Sequence, residues 1–207
     1  MIAKGDREDL AELQREYERL VQENLSVAKK LLVEYYPEVK DLKYRGRNRS
    51  MKVWEFDINE LMGRMVAEFV ASEAYFVEKL AKLVGEFEKV RPFGRRDAEV
   101  LFVIVNRRLR EWNLPPMEKW SKIELIRYKK AVRRYKRWGY IDVLERMIFL
   151  KVKEALHRWI AEIGGRKTVP LKRYAVMRGE SVNAVRNKAR RQTIPAFRKN
   201  GKWLVMP

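Results

Sequence analysis

The sequence predicts a mainly α-helical protein: an N-terminal bundle of four to five helices, followed by a small C-terminal part in which a β-hairpin follows two short helices. Through the first 165 residues, apolar side chains recur at helical spacing and show no strand alternation. The pair Gly164-Gly165 coincides with a change in composition, which favours two domains, 1–165 and 166–207. Asn200-Gly201 lies between two short apolar runs, as in a hairpin turn.

The charge of the chain indicates a polyanionic partner, and nucleic acid is the first candidate. The formal net charge is +19, from 47 Lys and Arg against 28 Asp and Glu. Residues 91–139 hold 15 basic and 5 acidic side chains, and residues 166–207 hold 12 and 1. The sequence shows no apolar window of membrane-spanning length and no signal sequence, so we expect a cytoplasmic protein without membrane contact. Charged residues make up 36% of the chain and Gln is scarce, and both biases are typical of a hyperthermophile.

Residue types exclude several kinds of catalysis. The absence of cysteine removes disulfides and thiolate-bound metals, and the single histidine removes any site that needs two. Glu154 and His157 have the Glu-x-x-His spacing of di-iron bundles, but such sites need the pair twice. Residues 164–168 end like a phosphate-binding loop, but Arg166 stands where a glycine is required. We therefore expect no enzyme, no metal and no cofactor.

The first predicted helix runs from Asp6 to about Tyr36 and ends before Pro37. Its apolar residues are spaced three and four positions apart, which is the heptad pattern of a coiled coil with one polar position. Such a helix either dimerises the protein or packs inside a bundle formed by one chain, and its acidic surface is a candidate docking site for another protein. The seam consists of Leu10, Leu13, Tyr17, Leu20, Asn24, Val27 and Leu31.

Three more helices are predicted from apolar stripes. The second spans Asp57 to about Val90, the third begins near Asp97 and is broken by Pro115-Pro116, and the fifth spans Ile141 to Ile163.

The fourth helix is predicted over 117–138 and is the basic one. Leu125, Tyr128, Val132 and Tyr135 share one face, and the cations Arg127, Lys130, Arg134 and Arg137 lie nearly opposite. Nine basic residues but one acid occur between positions 119 and 137, so the positive charges repel one another without acidic neighbours. We favour phosphate contact for this face; the alternative is a face that only promotes solubility.

The C-terminal forty residues predict a helix-turn-helix followed by a hairpin. Pro170 opens a helix that Gly179 ends, and Ser181 caps a second helix that runs to about Arg191. The hairpin that follows turns at Asn200-Gly201. Together these elements have the order of a winged helix-turn-helix.

This C-terminal segment resembles the excisionase and MerR-like DNA-binding modules. The residues that carry the resemblance are Leu171, Tyr174-Ala175, Gly179-Glu180-Ser181, Val185-Arg186, Ile194-Pro195-Ala196-Phe197-Arg198 and Gly201-Lys202-Trp203. The resemblance implies that the second helix enters the major groove and that the wing contacts the backbone or the minor groove. A basic, cysteine-free, helical DNA-binding protein of this kind also looks like one encoded by an archaeal plasmid or virus.

Side-chain chemistry assigns separate roles within this segment. Arginine and asparagine read guanine and adenine edges, so the base-contact candidates are Asn183, Arg186, Asn187 and Arg190. The backbone-contact candidates are Lys172, Arg173, Lys188, Arg191, Lys199, Asn200 and Lys202, together with Arg127, Lys130, Arg134 and Arg137 of the fourth helix. Phe197 and Trp203 are predicted to pack the wing against the two helices.

The sequence therefore predicts a protein that binds double-stranded DNA, with sequence preference, in transcription regulation or in recombination and excision of a mobile element. A homodimer is the expected way to enlarge the footprint. The alternative is an architectural or adaptor protein that binds DNA without sequence preference and docks another protein through its helical domain.

Overall fold

The structure is a computed structural model, and it describes residues 2–24, 26–28, 72, 74–91 and 97–207. The described chain is mainly helical and ends in a small three-stranded antiparallel sheet, which confirms the predicted class in outline. The helices are α1 (Lys4–Glu23), α2 (Phe76–Val90), α3 (Asp97–Glu111), α4 (Lys122–Trp138), α5 (Asp142–Ile163), α6 (Leu171–Met177) and α7 (Val182–Arg191). The strands are β1 (Val169–Pro170), β2 (Ala196–Lys199) and β3 (Lys202–Val205).

The chain forms two compact units. The first unit contains Val39–Arg108 and Lys119–Ile148, and the second contains Ile2–Glu38, Leu109–Glu118 and Phe149–Pro207. The C-terminal helices and strands therefore belong to the same unit as α1 and the C-terminal part of α5. The predicted boundary after residue 165 concerns which parts fold on their own, and it stays a prediction.

Most predicted helices lie where the sequence placed them. α3 begins at Asp97, and α5 begins one residue after the expected start and ends at Ile163. α2 corresponds to the end of the second predicted helix, whose earlier part lies outside the described residues.

α1 ends at Glu23, so the prediction of one helix as far as Tyr36 is wrong. The backbone N–H of Asn24 still donates to the Leu20 carbonyl at 2.9 Å, but its φ of −125° leaves the helical region. The Asn24 side-chain amide donates to the same carbonyl at 3.4 Å. Asparagine competes in this way with the helical ladder and favours a helix end. Residues 26–28 are helical again.

α4 begins at Lys122 rather than at Met117. Ser121 has an extended backbone, and its side chain accepts a hydrogen bond from the Glu124 N–H at 3.3 Å. The Glu124 carboxylate in turn accepts from the Ser121 N–H at 2.8 Å. This reciprocal capping box satisfies two backbone donors that the first turn leaves open, which fixes the start of the helix. Gly139, at φ +73°, ends it as predicted.

The core of the second unit forms around α5, whose C-terminal half is buried on nearly every side. Leu156, Trp159 and Ile160 are almost fully buried. The Tyr17 ring of α1 meets the Trp159 ring edge-on, with centroids 6.4 Å apart. Aromatic pairs favour this arrangement, so α1 has a defined place in the unit.

The predicted dimer seam is therefore corrected at three positions. Leu10, Tyr17 and Leu20 are buried within the chain, where no second copy can reach them. The intramolecular alternative accounts for these residues. Of the others, Leu13 and Asn24 are half-buried, Val27 is 43% exposed, and Leu31 lies outside the described residues.

The C-terminal elements pack around one small apolar cluster. It combines Leu171 and Ala175 of α6, Val185 and Ala189 of α7, and Ala196 and Val205 of the hairpin. The strand order is β1-β3-β2, with β3 antiparallel to both neighbours. The helix pair and the hairpin were predicted; the short β1 strand, which pairs Val169 with Val205, was not.

No helix among the described residues has the length and apolar character needed to cross a membrane.

Candidate nucleic-acid interface

The second short helix, α7, is fixed on one side and open on the other. Ser181 caps its N-terminus by accepting a hydrogen bond from the Ala184 N–H at 3.1 Å, as predicted. Val185 and Ala189 are fully buried in the cluster with α6 and the hairpin. These contacts set the rotation of the helix, and so determine which side chains point outward.

The base-contact candidates occupy that outward face. Positions 183, 186, 187 and 190 are one face of a helix, because residues three and four apart are neighbours. Asn183, Asn187 and Arg190 are exposed, and Arg186 is half-buried. Arg186 Nη1 donates to Asn183 Oδ1 at 2.9 Å, which orients both side chains in the absence of a ligand.

The backbone-contact candidates of this segment fall into two groups. Lys188 Nζ lies 2.6 Å from a Glu180 oxygen, and Lys199 Nζ lies 3.1 Å from a Glu162 oxygen. These carboxylates offset part of the positive charge, so the two lysines are weaker anion sites than the sequence suggested. Lys172, Arg173, Arg191, Asn200 and Lys202 are exposed, and their cationic members form no ion pair within the part of the chain that the structure describes.

The hairpin turn has the geometry that its sequence predicts. Asn200 and Gly201 have φ of +52° and +75°, the positive values that a two-residue turn between twisted strands requires. Trp203 packs on the apolar cluster, as predicted, and the Arg198 guanidinium lies 5.0 Å from its ring centroid. Phe197 is also buried, but it belongs to the opposite face of the hairpin and not to that cluster. The prediction that both rings join the helices is thus confirmed for Trp203 only.

α5 holds the hairpin through a buried carboxylate. The Glu154 side chain, 10% exposed, accepts from the Arg198 backbone N–H at 3.1 Å and from Arg198 Nε and Nη2 at 2.8 Å each. A forked guanidinium–carboxylate contact of this kind is directional and strong. It therefore fixes the start of the hairpin relative to α5.

One turn further along α5, a second buried contact reaches the end of α7. Gln192 Nε2 donates to the Ala189 carbonyl at 2.8 Å and to the Ala196 carbonyl at 3.0 Å. Its Oε1 therefore faces His157 Nδ1, 2.8 Å away, and the Nδ1–H of His157 is the donor. Gln192 itself has the left-handed φ of +55° that ends α7.

The electrostatics keep His157 neutral. Burial lowers the pKa of His157 to about 4, although the hydrogen bond that His157 donates to Gln192 favours the charged form. Nearby Lys153 lowers the pKa as well, while Asp9 and Glu154 raise it. The residue is therefore a hydrogen-bond donor at neutral pH and is too deeply buried to act on a substrate.

Sequence reasoning missed the role of Glu154 and His157. Their Glu-x-x-His spacing was compared only with that of a di-iron site. Side chains at positions i and i+3 lie on one face of a helix, so they can equally bind a neighbouring segment of the chain. Here they bind Arg198 and Gln192.

The basic helix α4 is attached to α2 by tyrosines. Tyr128 OH donates to a Glu88 oxygen at 2.7 Å, and Tyr135 OH donates to Glu86. Burial raises the pKa of Glu86, but hydrogen bonds from Lys89 and Tyr135 outweigh it and leave the pKa below its usual value. Burial beside Glu88 raises the pKa of Tyr128, so the Tyr128 hydroxyl stays a protonated donor.

The opposite face of α4 is open. Arg127, Lys130, Arg134 and Arg137 are all exposed, as predicted. Arg134 is 3.8 Å from Asp142, its one carboxylate contact among the described residues. Tyr128, Val132 and Tyr135 form the buried face as predicted, but Leu125 is 37% exposed and Ala131 takes its place in the core. Ile123, Ile126, Trp138 and Tyr140 are exposed as well, which the sequence reasoning did not single out.

Among the residues that the structure describes, no group of three or more His, Cys, Asp or Glu side chains converges as a metal site.

Comparison of this chain with protein-family models, with curated proteins and with solved structures finds no significant match.

Proposed function

We propose that this protein binds double-stranded DNA through α6, α7 and the β2–β3 hairpin, acting as a winged helix-turn-helix. The proposal rests mainly on α7, whose two faces differ in burial and in chemistry. Its inner face is locked into an apolar cluster, and its outer face presents Asn183, Arg186, Asn187 and Arg190. These side chains can form paired hydrogen bonds with purine edges in the major groove.

Charge supports the same assignment. Residues 166–207 carry 12 basic side chains and one acidic one, which is already paired with Lys188. Lys172, Arg173, Arg191 and Lys202 are the strongest phosphate candidates, with Asn200 at the hairpin tip. The exposed arginines and lysine of α4 are proposed to add sequence-independent phosphate contacts.

The biological role proposed for this binding is transcription regulation, or recombination and excision of a mobile element. Both roles need a preferred site. Because Leu10, Tyr17 and Leu20 of the predicted seam are buried within one chain, we do not propose that a coiled coil through them supplies a second module.

The test is selection of duplexes with a random core by the full chain at near-physiological salt, followed by sequencing. An enriched motif is expected. The variant Arg190→Gln should change or weaken the motif, whereas Arg15→Gln, an exposed charge of α1, should not. Binding without enrichment would instead favour the architectural or adaptor alternative. An absence of duplex binding would refute the proposal.

A further inference from the structure

Two large aromatic side chains are exposed at the C-terminal end of α4. Trp138 is the last helical residue and is 58% exposed. Tyr140 follows after Gly139 and is 56% exposed. Both belong to the first unit, and neither has a part in the duplex interface proposed above. Exposed apolar surface bordered by polar residues can mark an interaction site, and these two rings are two positions apart in the chain.

Each ring is accompanied by an arginine of the basic face. The Arg137 guanidinium carbon lies 4.9 Å from the Trp138 ring centroid, and that of Arg134 lies 5.1 Å from the Tyr140 centroid. A guanidinium at this distance is attracted by the ring electrons and limits the movement of the ring. The two rings are therefore held in place while much of their area stays open to solvent.

The surroundings carry the charge that a nucleic acid needs. Nine basic residues and one acid lie between positions 119 and 137. A basic track beside exposed rings is the combination used to hold single strands, where phosphates follow the charges and bases stack on the rings. In a duplex, the base faces are already covered by their neighbours, so only unpaired bases can use such rings.

We propose that Trp138 and Tyr140, with Arg134 and Arg137, form a stacking site for unpaired bases of a single strand. This site is separate from the duplex interface of α7 and does not depend on it.

The experiment measures binding of the full chain to a short oligothymidylate and to an abasic oligomer of the same length. The abasic oligomer keeps the phosphates and lacks the bases, so it separates stacking from charge. We expect Trp138→Ala and Tyr140→Ala each to weaken oligothymidylate binding about five- to hundredfold and to leave abasic binding nearly unchanged.

The matched control is Ile126→Ala. Ile126 lies on the same helix and is 59% exposed, but it has no ring and no charge. It should bind both oligomers like the unaltered protein, as should Arg186→Ala, which tests the duplex interface only. The proposal is overturned if the ring variants behave like Ile126→Ala, or if the abasic oligomer binds as tightly as oligothymidylate. It is also overturned if phosphatidylserine vesicles, and not oligothymidylate, shift the tryptophan emission in a Trp138-dependent way.

Discussion

Replacing Glu154 by glutamine tests whether α5 holds the hairpin in place. The carboxylate accepts three hydrogen bonds from Arg198 and is 10% exposed, and the Arg198 side chain is 14% exposed. Glutamine has the same shape but lacks the charge and offers one acceptor oxygen instead of two. The substitution thus leaves a largely buried guanidinium facing a neutral amide.

The magnitude follows from burial. Removing one partner of a buried ion pair costs about 3–5 kcal/mol, because the remaining charge has left water without compensation. Since glutamine retains one acceptor, we expect a loss near the lower end, about 3 kcal/mol in the free energy of unfolding. Glu23→Gln is the matched control, because Glu23 pairs with Arg19 on the surface of α1 at 2.7 Å. An exposed pair contributes about 1 kcal/mol or less.

The assay is urea unfolding of the full chain, followed by far-ultraviolet circular dichroism. Hydrogen exchange at the Arg198 amide provides a local reading, because that N–H donates to Glu154. Exchange should accelerate in Glu154→Gln and not in Glu23→Gln. If both variants lost the same small stability and exchange were unchanged, the reasoning that this contact is buried and structural would be refuted.

Four further predictions follow from the other contacts. Arg186→Ala should weaken binding to the preferred duplex by about 1–3 kcal/mol and relax its sequence preference, as measured by competition with mutated sites. Lys202→Ala should weaken binding to every duplex equally and reduce the salt slope of the binding constant by about 1. His157 has a folded pKa of about 4, below the usual 6.5, so protonation of this residue favours the unfolded chain. The stability that neutral His157 contributes is complete above about pH 6.5 and is lost as the pH falls from 6.5 to 4. The loss in the free energy of unfolding amounts to about 3 kcal/mol, so the free energy of unfolding should depend less on pH in His157→Gln. Gly85→Ala should destabilise the protein by about 1–3 kcal/mol in a urea titration, because the new Cβ would lie 2.5 Å from the Tyr135 ring.

Controls distinguish these effects from general ones. Gly5→Ala adds a methyl group to α1 where nothing lies within 4 Å, so it should not destabilise, and a gain from Gly85→Ala would contradict the close approach. An equal loss on all duplexes for Arg186→Ala would show a phosphate contact only. An unchanged salt dependence of binding in Lys202→Ala would remove Lys202 from the phosphate candidates. If the free energy of unfolding depended on pH as strongly in His157→Gln as in the unaltered protein, the acid sensitivity would belong to other groups.

The features that the sequence predicted well depend on neighbouring residues. Ser181 caps α7, Gly139 ends α4, and Asn200-Gly201 turns the hairpin, because each role is set by the backbone conformation of a few consecutive residues. The capping box of Ser121 and Glu124 was equally local and could have been read from its Ser-x-x-Glu spacing.

The features that the sequence did not predict depend on distant residues. Glu154 meets Arg198, and His157 meets Gln192, only because the fold brings separate segments together. The heptad spacing of Leu10, Tyr17 and Leu20 is the same for a helix that packs in its own chain and for one that dimerises. Periodicity identifies the apolar face and leaves its partner undetermined.

The contacts of α5 also bear on how this C-terminal module can be exchanged between proteins. A gene fusion that joined residues 166–207 to another chain would leave Arg198 and Gln192 without Glu154 and His157. The recipient would need a helix with an acid and an imidazole one turn apart, set against the hairpin. We therefore expect recombination that preserves these two contacts to transfer α5 together with residues 166–207.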